Sequence, residues 1–89
     1  MIIEEHDFRL TPCSESSSMF DLDLLYVVNK GKDNERTEFR NAGYGLSLES
    51  AIKRIAQHRV SNNHKDEAIS LLTYFKDFKK ELDSLNKLL

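Results

Sequence analysis

The spacing of apolar residues changes once along this chain, and that change constrains the fold more than any other feature. In the first half the period is two. His6, Phe8 and Leu10 alternate with Asp7, Arg9 and Thr11, as in a strand with one face covered. Pro12 closes that run, because it cannot donate to a ladder, and Cys13 to Ser18 is a polar connection. Alternation resumes from Phe20 to Val28, with Leu22, Leu24, Tyr26 and Val28 on one side. Lys30-Gly31-Lys32-Asp33-Asn34 has loop composition, with residues that adopt positive φ easily, and Thr37 and Phe39 then alternate with Glu38 and Arg40.

Past Gly43-Tyr44-Gly45, read as the strand-to-helix turn, the period becomes helical. Ser47 is an N-cap, with Glu49 in the first turn where the helix dipole favours an acid. Leu48, Ala51, Ile52, Ile55, Ala56 and Val60 fall on one face. Ser61-Asn62-Asn63 ends the helix, and Asp66 is taken as the cap of a second. There Ala68, Leu71, Phe75, Phe78, Leu82, Leu85 and Leu89 repeat at alternating spacings of 3 and 4, a seam of heptad type. At ~1.5 Å per residue the second helix, about 34 Å, outreaches the first, about 24 Å, so its leucine tail is expected to overhang.

The expected fold is α+β: a three-stranded antiparallel β-meander followed by two C-terminal α-helices packed on one face, one domain over residues 1–89. The strands span about 5–11, 20–29 and 36–42, and the helices about 48–61 and 66–88. The expected core is Phe8, Leu10, Leu22, Leu24, Tyr26, Val28, Phe39, Ile52, Ile55, Phe75 and Phe78.

Composition then restricts function. With 89 residues the chain is too short for a doubly wound nucleotide fold or a β/α barrel, which need roughly 150 to 250. No apolar run reaches the ~18 residues of a membrane span. The single cysteine, Cys13, excludes an internal disulfide and fits a reduced, cytoplasmic setting. Cys13 and His6 have nothing to fix them as a nucleophile–base pair, and His58 and His64 cannot share a helical face to bind a metal. The glycines before the first helix lack the further glycines and the lysine of a phosphate loop. No catalytic residue, cofactor or metal is expected.

Binding surfaces remain. Net charge is −2, with the acids in excess before residue 46 and the bases after it, which can steer a partner to one end. An acidic hairpin (Asp21, Asp23, Asp33, Glu35, Glu38) could oppose a basic groove. The leucine tail (Leu82, Leu85, Leu89) could dimerise or dock in a helix groove. Arg59 falls inside the apolar stripe of the first helix, so it must snorkel, pair with an acid such as Asp66 or Glu67, or meet a partner. The exposed face of that helix (Lys53, Arg54, Gln57, His58, Ser61) offers a weaker, alternative reading as a nucleic-acid contact.

Several segments resemble small uncharacterised accessory proteins encoded by phages and prophages of Gram-positive bacteria. They are His6-Asp7-Phe8-Arg9-Leu10-Thr11, Phe20-Asp21-Leu22-Asp23-Leu24-Leu25, Glu38-Phe39-Arg40, Ala42-Gly43-Tyr44-Gly45, Ala51-Ile52-Lys53-Arg54-Ile55 and His58-Arg59-Val60-Ser61. The likeness covers most of the chain and carries no chemical motif. It implies a non-enzymatic product that occupies and masks a host or phage protein, as inhibitors of CRISPR nucleases and other defence systems do. It transfers no site residue.

Overall fold

The structure, a computed structural model, describes residues 1–14 and 18–87. Its class is α+β. The order is β1 (Ile3–Glu4), β2 (Phe8–Pro12), β3 (Met19–Val28), β4 (Arg36–Ser47), α1 (Leu48–Asn63) and α2 (Leu71–Asn86). The chain forms two compact units, Met1–Ala51 and Ile52–Leu89.

The first unit is one antiparallel sheet in the order β1-β2-β3-β4. It has four strands rather than the three expected, because Ile3 and Glu4 add a short edge opposite Leu10 and Arg9. Two residues carry too little alternation to register as a strand in sequence. Across β2 and β3, Phe8 faces Leu24 and Leu10 faces Leu22. Side chains of facing residues share a side of the pleat, so these four lie on one face, and all are buried; Leu22 is fully so. Arg9 and Asp23 face each other on the opposite side.

β4 departs most from expectation. It extends through Gly43-Tyr44-Gly45 to Ser47 instead of turning there, and it pairs with β3 from Met19↔Ser47 to Val28↔Arg36. Two irregularities absorb the extra residues. Leu22 faces Gly43 while Asp23 faces Asn41, and Phe20 faces Leu46, so β4 carries more residues than β3 at each bulge. Gly45 takes φ 59°, a left-handed conformation that suits a residue without Cβ. Its N–H donates to Asp21 Oδ1 at 3.1 Å. The register also corrects two expected core positions. Phe39 faces Leu25, which puts it on the Arg9 side, half-buried, with the Arg9 guanidinium 4.4 Å from its ring centroid. Tyr26 faces Glu38 near the end of the hairpin and is 38% exposed. In the β3–β4 loop, Asn29 and Gly31 take positive φ, and Lys32 and Glu35 close successive turns onto Asn29 and Lys32 carbonyls.

Ser47 caps α1 as expected: its Oγ accepts the Ser50 N–H at 3.2 Å. In the second unit Ile52, Ile55, Ala56 and Val60 of α1 are buried, as is Leu85 of α2. α2 starts later than expected. Asp66 takes φ 64° in the connector, and the cap is Ser70, whose Oγ accepts the Thr73 N–H at 3.1 Å. With 16 residues each, the helices lack the length difference behind the expected overhang. The heptad-type seam is divided: Leu85 is buried and Phe78 and Leu82 are half-buried, whereas Leu71 and Phe75, the latter an expected core residue, are exposed.

Three substitutions test this packing. Leu22→Ala, which opens a cavity at a fully buried position, should cost roughly 3 kcal/mol in urea unfolding. Ser70→Ala, which removes the true cap, should cost about 1 kcal/mol, while Asp66→Asn, which keeps a residue that tolerates positive φ, should be near neutral.

Candidate functional site

The five acids expected to form one surface do not come together. Asp21 is half-buried and serves the β4 bulge. Besides the Gly45 N–H, its Oδ1 accepts the Cys13 thiol at 3.4 Å. Asp23 lies on the same side of the sheet as Arg9. Asp33 and Glu35 are exposed in the hairpin loop. Glu38 is on the other side and is flanked by arginines, with Arg40 Nε at 2.7 Å and Arg36 Nη2 at 3.6 Å. Arg40 beside it, and Arg36 further along, hold its carboxyl below the usual range. The hairpin is therefore a mosaic of both signs rather than an acidic face.

Cys13 has no histidine beside it. Desolvation and the Asp21 carboxylate raise its thiol pKa, the opposite of nucleophile activation. His6 lies 3.8 Å from Asp7. Among the described residues no group of three His, Cys, Asp or Glu side chains could hold a metal ion, and no helix is long and apolar enough to cross a membrane.

The second unit has its own polar cluster, of which the sequence had singled out Arg59 but not its partner or His64. Arg59, only 17% exposed at its side chain, pairs with Glu81 at 3.9 Å. That acid is on α2, where the sequence had offered Asp66 or Glu67, and Glu67 meets His64. His64 Nδ1 meets Glu67 Oε2 at 3.1 Å, and its Nε2 meets Asp77. Asn63 donates to Glu81 at 3.3 Å. Hydrogen bonds to Asp77 first, and to Glu67, raise the pKa of His64. With both ring nitrogens facing carboxylates, the imidazole joins the chain just past α1 to α2.

Among the described residues, the most exposed apolar side chains of the second unit lie at the head of α2. Leu71, Leu72 and Phe75 are 69%, 63% and 57% exposed. Leu82 is half-buried and Leu85 buried, while Leu89 lies outside the described residues, as does Leu88. Beside the exposed trio, Lys76, Lys79, Lys80 and Lys87 line a shallow groove with Asp83 and Ser84. At 100° per residue, Lys79 falls between Phe75 and Leu72, and Lys76 falls next to Leu72. Among the described residues no ion pair engages these lysines. The heptad-type spacing did contain Leu71 and Phe75, but spacing cannot say which end of a seam is left uncovered.

No family model, curated protein or solved structure matches the chain.

The His64 cluster has a definite pH signature. Since the folded-state pKa lies above the ordinary value of 6.5, its stabilisation is complete below 6.5 and is lost as pH rises through the elevated value. Urea midpoints of the wild type should fall over that window, and His64→Gln should flatten the fall. An unchanged slope in the variant would place the pH dependence elsewhere.

Proposed function

We propose that this chain is a non-enzymatic protein-binding module that masks a surface of another protein through the outer face of α2. The carrying observation is the row of three large apolar side chains, Leu71, Leu72 and Phe75, each more than half exposed on neighbouring positions of one helix. Contiguous exposed apolar area of this kind marks interaction sites, and an aromatic flanked by aliphatics makes an anchor once water is excluded. The adjoining lysines give the partner's chemistry: an apolar groove rimmed by acids, entered by a helix.

The sequence likeness supplies the setting, a phage-type accessory protein whose target is a host or phage protein in the host cytoplasm, with a CRISPR nuclease or another defence protein as the leading class. In that setting the acids of the β3–β4 hairpin play the lesser part, since Glu38 is already neutralised by Arg36 and Arg40. Of the tail leucines, Leu85 contributes mainly to the chain's own packing, being 3% exposed.

A second reading draws on the lysine groove alone. Four lysines on one side of α2 could lie along a phosphate backbone, a better nucleic-acid face than the α1 surface, where Lys53, Arg54 and His58 have interactions within the chain. A contact of that kind would be strongly salt-dependent.

The two readings separate on one set of variants. Phe75→Glu and Leu71→Glu should each abolish capture of a stoichiometric partner from bacterial host lysate, a loss of about 2 kcal/mol or more, with helix content unchanged by circular dichroism. Lys79→Glu with Lys80→Glu should weaken it mainly through the association rate. Capture that ignores Phe75 and Leu71 would rule out the α2 ridge. A salt-sensitive duplex shift lost only with the lysines would favour the second reading.

A further inference from the structure

We infer that β4 is a self-recognition edge, through which two copies of this chain join their sheets by antiparallel pairing of Thr37–Asn41 about a two-fold axis at Phe39. The inference is independent of the α2 surface.

β4 is the outer strand of the described sheet, and among the described residues no strand pairs on its far side. From Val28↔Arg36 to Asp23↔Asn41 its pairing with β3 is regular, and the bulges begin only beyond that point. The stretch is therefore an extended, evenly pleated template of backbone donors and acceptors, the kind of edge that takes up a further strand.

Sequence then selects the partner and the register. A two-fold axis perpendicular to a sheet keeps each residue on its own face, so the axis must pass through a residue rather than between two. With the axis at Phe39, Glu38 faces the partner's Arg40 and Arg40 faces the partner's Glu38. Thr37 then faces the partner's Asn41, and the two Phe39 rings meet across the junction. The opposite charges and the aromatic pair are favourable by cross-strand rules. Moving the axis by one residue sets Glu38 against Glu38, or Arg40 against Arg40, and like charges directly opposite destabilise. One register is thus selected and its neighbours are penalised.

The side chains stand ready for this arrangement. Glu38 already engages Arg40 of its own strand at 2.7 Å, so pairing closes a square of four alternating charges. On that same face Arg40 lies over Tyr26, 6.0 Å from the ring centroid. On the opposite face Arg9 lies over Phe39 and leaves the ring only half-buried. The product is a continuous eight-stranded sheet with an isologous interface. The charges that complement a second copy oppose a generic strand, which fits an edge kept for one partner.

Charge reversal with rescue tests it. Sedimentation velocity over a dilution series should give a dimer for the wild type. E38R and R40E should each dissociate it, weakening association roughly tenfold or more because each clash occurs twice. The double variant E38R/R40E, which restores opposite signs across the axis, should recover the dimer. In a C13S background, F39C should form a 39–39 disulfide between copies and T37C should not, since residues facing each other lie within bridging distance. The Phe75→Glu variant should remain dimeric. A wild type that is monomeric at every concentration, single reversals that keep the dimer mass, or a double variant that stays dissociated would overturn the proposal.

Discussion

The structure of the first unit depends on the register between β3 and β4. Asp21 accepts the Gly45 N–H at the point where β4 carries surplus residues, and so pins the second bulge. Because side chains alternate with a period of two, the regular pairing from Val28↔Arg36 to Asp23↔Asn41 decides which face each residue of that part of β4 occupies. That is why Phe39 lies beside Arg9, why Glu38 lies with Tyr26 and Arg40, and why the acids Asp21 and Asp23 stand on the side away from Glu38. A one-residue difference in β4 would exchange all of these positions.

The second unit rests on a different kind of constraint. Arg59 and His64, at the end of α1 and just past it, bring two basic groups to a place where apolar side chains such as Val60 and Leu85 are buried. Glu81, Asp77 and Glu67 supply the matching acids. Partly buried charges are costly unless they are paired and hydrogen-bonded, so this arrangement ties the helix ends to a particular alignment. With Glu81 and Leu85 committed to that side, the head of α2 is left with Leu71, Leu72 and Phe75 in water. Exposed leucines at the start of the helix are a consequence of where the charged pairs fall.

The α2 ridge and the β4 edge differ physically. An exposed apolar row flanked by lysines gains by excluding water, and the lysines chiefly steer. An edge strand gains by completing backbone hydrogen bonds, with side-chain charges choosing the register. One chain can use the first toward a target and the second toward its own copy, since they lie on different elements.

Local patterns in the sequence were enough to determine the α+β class, the long strands β2 and β3, the β3–β4 loop, the Ser47 cap and most of the buried positions, because alternation, capping and helical spacing depend on near neighbours. Arg59 was also legible as a charge needing a partner, though not which partner. Tertiary structure alone decided that Gly43-Tyr44-Gly45 continues a strand, that Phe39 belongs to the Arg9 side, that Arg59 meets Glu81, and that the uncovered end of α2 is its head. Each of these turns on which residues distant in the chain stand opposite one another. Spacing along a chain carries that information only when register and helix alignment are already known.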